Sequence, residues 1–504
     1  MDGVVAQFES LRSWEPKTIG GFSPGGNPRY AALAHIAVRV AKKAKVSPIA
    51  VLRAMLKGPV RAQLVAKMSR FVDQLTYERP DEPATYTKRT RANLAAIDVL
   101  AKGPESIGRT DATKLYGWTG WGGLKLEEHQ HRIPPQYRQH SLALLHEWYT
   151  PSLVADAVAD LLVPYLGKLE NKFGAIKALE PSAGVGRFLD AINRRFDTST
   201  VLWTAVDLNP ISIDILRLLH PYTRVHYGPY ELFNHHYGDQ KFDLVVANPP
   251  FGSTQNTRTF ALLDPVQKFM EQSDYAYFLK RTIHALSRCG LAVFVLPRSF
   301  LSGTSRENRK LRSYVFRRVH LLKAFRMPSE SPEGKRTFPA MATVTDVMLL
   351  QSRGGLLNSD APDDKHLIAG DLFKHEKPDW LLGTEGKSSW NRYQVIGEFH
   401  GFPEVDPREE CMTCTTRKEP TIKVTRDLPK SKEALAFASS LGLKSKAYLG
   451  DVAQSRAPKI SWDELQTGFQ DIVERHGNPA KWTDLTDYAQ AGDKGAQALL
   501  RAFE

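Results

Sequence analysis

The chain has 504 residues, 42% of them hydrophobic and 24% charged, which is too long for one ordinary core and predicts two or three domains. Lysine and arginine number 68 against 55 acids, and a formal net charge of +13 points to a polyanionic partner, nucleic acid first, rather than to a membrane. Three cysteines exclude a disulfide framework, no segment reaches membrane-spanning length, and Met1 to Gln7 lack a basic stretch leading into an apolar signal core, so a soluble cytoplasmic protein is expected.

Residues 1–110 carry helical periodicity at Tyr30 to Lys43, Ser47 to Met55 and Val60 to Leu75, which predicts a helical N-terminal domain. Ala41 to Pro48 between two of these helices fits a helix-turn-helix corner or an ordinary bundle loop. Trp118-Thr119-Gly120-Trp121-Gly122-Gly123-Leu124 reads as a packed aromatic turn or a ligand contact, with the packed turn preferred. Next come Tyr149-Thr150-Pro151, where Thr150 as N-cap and Pro151 at the first position suit a helix through Val154, Val158 and Leu161.

Gly174 to Glu180 reads as a buried strand, followed by the turn Pro181-Ser182-Ala183-Gly184-Val185-Gly186 and a helix from about Arg187. Glycines there let a ligand approach the backbone. The dinucleotide pattern Gly-x-Gly-x-x-Gly is absent, and Glu180 stands where a pyrophosphate would be repelled, so a cationic or hydroxylated ligand is expected. The strand Val201 to Val206 ends in Asp207, the usual place in a doubly wound sheet for a carboxylate that binds ribose hydroxyls. Together these predict an adenosine-type cofactor without phosphates.

The apolar run Phe242 to Ala247 closes on Asn248-Pro249-Pro250-Phe251. The Asn248 side-chain oxygen and the Pro249 carbonyl can each accept a hydrogen from a planar amine, Phe251 offers a flat face to its ring, and two prolines hold the geometry rigid. Leu321 to Pro328 and Thr343 to Gln351 read as two strands separated by a short polar loop. Gly303 to Arg336 holds ten basic residues against three acids, a surplus of seven, and Arg306, Arg309, Lys310, Arg312, Lys335 and Arg336 are the candidate phosphate contacts. From about Gly386 the chain is basic, with Lys418, Lys423, Arg426, Lys430, Lys432, Lys444 and Lys446, but no spacing there encodes a base sequence. Cys411-Met412-Thr413-Cys414 lacks the second ligand pair of a zinc site, so no metal is expected. A Gly-x-x-x-x-Gly-Lys-Ser/Thr phosphate loop and a nuclease-type carboxylate cluster are missing, so no fused helicase or nuclease is expected.

These motifs, in this order, resemble the gamma class of S-adenosylmethionine-dependent DNA adenine-N6 methyltransferases, similar to the large phage and plasmid methylases. Glu180 to Gly186 looks like the cofactor loop, Asp207 like the ribose acid, Asn248 to Phe251 like the catalytic motif, and Tyr149-Thr150-Pro151 like the aromatic-Thr-Pro motif that precedes them. Trp118 to Leu124 and Ala324 to Pro328 resemble segments of the large methylases, Asp274 to Leu286 and Gly290 to Pro297 look like the helix and fifth strand of such domains, the two strands after them suit the final hairpin, and the likeness covers roughly residues 110 to 385. It implies a Rossmann-like α/β class I methyltransferase domain, a mostly parallel seven-stranded sheet with an antiparallel final hairpin, at 111–385, between the helical 1–110 and a target-recognition region at 386–504. S-adenosylmethionine is the implied cofactor, held by Tyr149, Thr150, Pro151, Glu180, Pro181, Ser182, Ala183, Gly184, Gly186, Asp207 and Asn248. The pattern departs after the third strand, where Gly228 to Phe233 replaces the expected Asp or Asn, and either Tyr230 or Glu231 takes the adenine-reading task. The implied partner is double-stranded DNA with its target adenine flipped out, methylated by a monomer or by a homodimer at a symmetric site. RNA or protein-glutamine methylation, or DNA binding without catalysis, are the alternatives.

Overall fold

The computed structural model describes residues 41, 47–50 and 77–405, except 103–106, 135–136, 138–147, 174–175, 197–200, 221–222, 253–263, 265–272, 340–342 and 389–391. The helices expected between residues 30 and 75, the Ala41 to Pro48 corner, the Cys411-Cys414 pair and the basic C-terminal lysines therefore lie largely or wholly outside the described residues.

The strands are β1 (Ile176–Glu180), β2 (Val201–Asp207), β3 (Arg224–Tyr227), β4 (Phe242–Ala247), β5 (Leu286–Pro297), β6 (Val319–Arg326), β7 (Thr345–Ser352), β8 (Thr384–Lys387) and β9 (Tyr393–Ile396). The principal helices are α1 (Tyr86–Leu100), α2 (Arg109–Tyr116), α3 (Ser152–Phe173), α4 (Arg187–Arg195), α5 (Pro210–Leu219), α6 (Tyr230–Tyr237), α7 (Asp274–Ala285) and α8 (Arg306–Phe316). β4 is buried at all six positions, as a parallel strand covered by helices on both faces must be, which is why its sequence is a continuous apolar run broken only by Asp243. Asn209 caps α5 by accepting from the Ile211 amide at 2.8 Å, and Pro210 sits at the first turn, where its missing N–H costs nothing.

The seven strands form one sheet in the order β3-β2-β1-β4-β5-β7-β6. β3, β2, β1, β4 and β5 are parallel, and β7 runs antiparallel to both β5 and β6. This is the class I methyltransferase sheet with its antiparallel end, as the resemblance implies. The strand order reverses between β1 and β4, paired through Ala178–Leu244 and Leu179–Val245. A ligand crevice in an open α/β sheet lies outside the carboxyl ends at such a reversal. Because β6 is antiparallel to β7, it runs in the same direction as β1 to β5, so the segments after β5 and β6 also emerge at the carboxyl edge.

Several boundaries differ from the sequence reading. β5 starts at Leu286, four residues early, and the β4–β5 register shifts between Phe242 and Leu244. Cys289, inside that early part, takes φ 61° and is disulfide-bonded, a single cross-link rather than a framework. The β6–β7 connection is not a short polar loop: it spans 327–344, turns back at Ser331 to Lys335, and buries Phe338. The boundary at 110 cuts through one apolar cluster, in which Leu94, Ile97, Leu115 and Tyr116 of α1 and α2 pack with Val185, Ile211 and Ile215 of the sheet domain. The boundary at 385 divides the β8–β9 hairpin, and Phe402 stacks on Phe325 of β6 at 5.1 Å, so packing against the sheet continues beyond it.

Candidate active site

Glu180, Asp207 and Asn248 stand at the carboxyl ends of β1, β2 and β4 because each strand terminates at the residue predicted from its apolar run. Glu180 is 2% exposed, and its Oε2 has no hydrogen-bond partner among the described residues. Burial holds its carboxyl well above the usual carboxylate range, and the neighbouring Asp207 pushes the same way. A buried, unsatisfied acceptor is costly, so this atom awaits a donor. Asp207 is partly exposed; its Oδ2 accepts from the Gly184 amide at 2.7 Å and its Oδ1 from the Asn209 amide at 2.8 Å. Desolvation raises its carboxyl to about 6 against the lowering effect of those backbone amides. Each oxygen retains a lone pair for a hydroxyl donor.

The turn between β1 and α4 is shaped for close approach. Gly184 and Gly186 have φ of 54° and 78°, where a side chain is strained, and a Cβ on Gly184 would stand 2.2 Å from Cε1 of Tyr149. The Tyr149 ring thus lies directly over the turn, and its hydroxyl bonds Ser212 of α5. A buried orphan acceptor, a second acceptor on the adjacent strand and a glycine cradle under an aromatic ring fit a cofactor that bears ribose hydroxyls and an ammonium group.

Thr150 and Ser182 both engage Asn248. Nδ2 of Asn248 donates to Oγ1 of Thr150 at 2.9 Å, and Oγ of Ser182 donates to the Asn248 carbonyl at 3.0 Å. α3 begins at Ser152, so Pro151 and not Thr150 takes the position before the helix, and Pro151 is not at its first position. Pro181, Ala183 and Pro151 are buried in the loops that carry these groups, and Pro249 is buried beside exposed Pro250. Phe251 is half-buried, one side against the main core.

Sequence reasoning missed Arg187 and Glu82. Arg187 is 4% exposed; its Nη1 bonds Glu82 at 2.9 Å and the Thr150 carbonyl at 2.8 Å, while Nη2 donates to the Trp118 carbonyl at 3.2 Å. Glu82 in turn accepts from the Ser152 amide at 3.1 Å. A cation in the first turn of a helix opposes the helix dipole, and that anomaly at α4 was the available signal. Trp118 and Trp121 are fully buried in edge-to-face contact, the packed aromatic turn, and Asn93 of α1 holds it by donating to the Gly120 carbonyl at 2.7 Å.

Tyr230 is not placed to read an adenine. It is 2% exposed, stacks on Phe233 and Phe278, and shares a hydroxyl bond with Thr282, all within the main core, because it opens α6 on the face turned to α7. Glu231 beside it is also buried, and desolvation, with Asp274 and Asp264 adding, raises its carboxyl to about 8. At 3% exposure Glu231 is as enclosed as Tyr230.

The basic segment divides. Arg306, Arg309, Lys310, Lys335 and Arg336 are exposed, on α8 after β5 and on the turn after β6, both leaving the carboxyl edge. Arg312 is fully buried and donates to the Phe300 carbonyl at 2.7 Å and the Ile368 carbonyl at 3.0 Å, so it is a packing residue and not a phosphate contact. Arg326 is likewise interior, paired with Asp346 at 2.7 Å. Among the described residues no group of three metal-ligating side chains occurs, and no helix is long and apolar enough to cross a membrane.

Residues 205–331 match the Eco57I restriction-modification methylase family. Over 362 residues, 67% of the chain, the sequence is 26% identical to the defense against restriction protein B of Escherichia phage P1, and the match spans 14% of that protein's length. A methyltransferase subunit of a type I restriction-modification system from Streptococcus thermophilus is similar in structure, with a TM-score of 0.34 and 16% identity over 70% of this chain and 84% of that one. A Listeria monocytogenes protein classed as a class I S-adenosylmethionine-dependent methyltransferase gives 0.33 and 17%, over 64% and 87%. So distant a likeness says nothing of substrate or assembly, and the fold assignment stands on strand order and direction.

Proposed function

We infer, for a chain that carries an Eco57I restriction-modification methylase segment on a class I methyltransferase fold with S-adenosylmethionine as cofactor, that it methylates the N6 amine of adenine in double-stranded DNA. The observation that carries this reading is the Asn248 amide, anchored through its own Nδ2 to Thr150 so that Oδ1 is left as an acceptor beside Glu180 and Asp207 at the sheet reversal.

S-adenosylmethionine, when bound, supplies a sulfonium methyl group. Glu180 and Asp207 offer acceptors for its hydroxyl and ammonium hydrogens, and Tyr149 covers the glycine turn on which it lies. A stacked adenine cannot bring its amine to this edge, so the base leaves the duplex at a cost of a few kcal/mol. Stacking on Phe251 returns about 1–3 kcal/mol. Oδ1 of Asn248 and the Pro249 carbonyl accept the two amine hydrogens, which turns the nitrogen lone pair toward the methyl group. The bound cofactor would give up its methyl group and keep the sulfur–carbon electron pair as a neutral thioether, while Asn248 and the Pro249 carbonyl hold the amine and its surplus proton passes to solvent. Positioning and polarisation carry the rate. The exposed cations after β5 and β6 lie at the same edge and suit the phosphates of the duplex.

Purified protein with methyl-labelled S-adenosylmethionine, offered duplex DNA, RNA and protein separately, tests the reading. Label recovered as N6-methyladenine in DNA is the expected result; label only in RNA or in protein glutamine, or none anywhere, overturns it.

A further inference from the structure

We propose that Thr150 is a positioning residue for the methyl-transfer step, engaging the donor end of the Asn248 amide so that its oxygen faces the target amine, and that the part-buried Arg187–Glu82 pair holds Thr150 in place for this. The proposal rests on the adenine-amine reading above and assigns Thr150 to the acceptor side of the site rather than to the cofactor.

An asparagine amide has a donor end and an acceptor end of nearly equal shape, and only the acceptor end can take a hydrogen from an amine. If the amide turned over, an NH2 would confront an NH2. Thr150 Oγ1, 2.9 Å from Nδ2, meets the donor end and leaves Oδ1 for the substrate. Ser182 fixes the same residue from the other side through the main-chain carbonyl, at 3.0 Å. Asn248 is thereby pinned at two atoms by two different loops, one before α3 and one before α4.

Thr150 itself is 6% exposed and is held by its backbone. Its carbonyl accepts from Nη1 of Arg187 at 2.8 Å, and that guanidinium is bound to both oxygens of Glu82 at 2.9 and 3.0 Å. Glu82 also receives the amide and the hydroxyl of Ser152, two residues beyond Thr150, at 3.1 and 3.3 Å. Thr150 and Ser152 are thus both bound to one ion pair whose acid comes from ahead of α1. The segment ahead of α1 therefore reaches the reacting centre through three consecutive polar contacts: Glu82 to Arg187, Arg187 to Thr150, and Thr150 to Asn248.

The test compares Thr150→Val, which keeps shape and removes the acceptor, with Thr150→Ser, which keeps the acceptor, both in the full chain. Thr150→Val is expected to lower kcat for DNA methylation about tenfold, leaving the KM for S-adenosylmethionine and the affinity for duplex DNA within about twofold, and Thr150→Ser restores most of the turnover. In an Asn248→Ala background, which has no amide to position, Thr150→Val is expected to add little further loss. Equal kcat in wild type and Thr150→Val, or the same additional loss in the Asn248→Ala background, overturns the proposal, and a rise in cofactor KM without a fall in kcat returns Thr150 to the cofactor. Failure of the wild type to methylate adenine would instead refute the reading on which the proposal rests.

Discussion

The carboxyl edge around β1, β2 and β4 and the basic stretch from Gly303 to Arg336 were both conspicuous in the sequence, yet only the first keeps its meaning residue by residue. At the edge, each key side chain is fixed by backbone position: a strand end leaves Glu180, Asp207 and Asn248 no choice of face. In the basic stretch, orientation depends on what each turn of α8 and each face of β6 packs against, so Arg309 is exposed and Arg312, three residues on, is fully buried. Charge in a sequence counts cations; it does not say which way they point.

The largest effect that separates the two kinds of arginine is on stability. Removing one partner of the buried Arg326–Asp346 pair, by Arg326→Met, should cost about 3–5 kcal/mol, because it leaves an uncompensated interior carboxylate. Chemical denaturation checks it, and a change under about 1 kcal/mol would place Arg326 outside the structural set. Arg309→Ala or Lys310→Ala should leave the denaturation midpoint nearly unchanged while lowering the slope of log affinity for DNA against log salt by about 0.9 for each phosphate that is no longer neutralised. An unchanged slope in both would erase the functional half of the comparison.

Within the edge itself, Gly184→Ala sharpens the account of the cradle. The added methyl meets Tyr149 at 2.2 Å at a φ of 54°, so cofactor affinity should fall at least about tenfold, read by calorimetry. Affinity equal to wild type would mean that Tyr149 swings freely away from the turn. A smaller effect is expected from pH. The Asp207 carboxyl, raised to about 6 by desolvation, is charged above that pH and protonated below it. An ionised Asp207 accepts hydroxyl hydrogens at both oxygens, so cofactor affinity should fall as pH drops through about 6, and Asp207→Asn should flatten that profile. Its effect on folding has the opposite sense: a carboxyl whose folded pKa lies above its unfolded value lowers stability as pH rises from about 4 to 6.

The sheet and most of the site were legible because the signals for them are local. Phe242 to Ala247 is apolar without interruption other than Asp243, and the structure ends the strand where the sequence does. The polar scaffold was not legible, since its members meet only through the fold: Glu82 and Arg187 are 105 positions apart, and Thr150 and Asn248 are 98. Tyr230 misled because an aromatic after a third strand suits stacking on a ligand and stacking on Phe233 and Phe278 equally well. The limits at 110 and 385 were drawn from composition, which does not report the apolar cluster and the β8–β9 hairpin that run across them.

The central claim is that the Asn248 amide oxygen receives the target amine. Sequencing that detects modified bases directly, applied to DNA from cells producing the wild type and from cells producing Asn248→Ala at equal levels, tests it whatever the recognition sequence is. N6-methyladenine at a defined motif with the wild type, reduced at least about a hundredfold with Asn248→Ala, is the predicted result. The same methylation pattern from both proteins would contradict it.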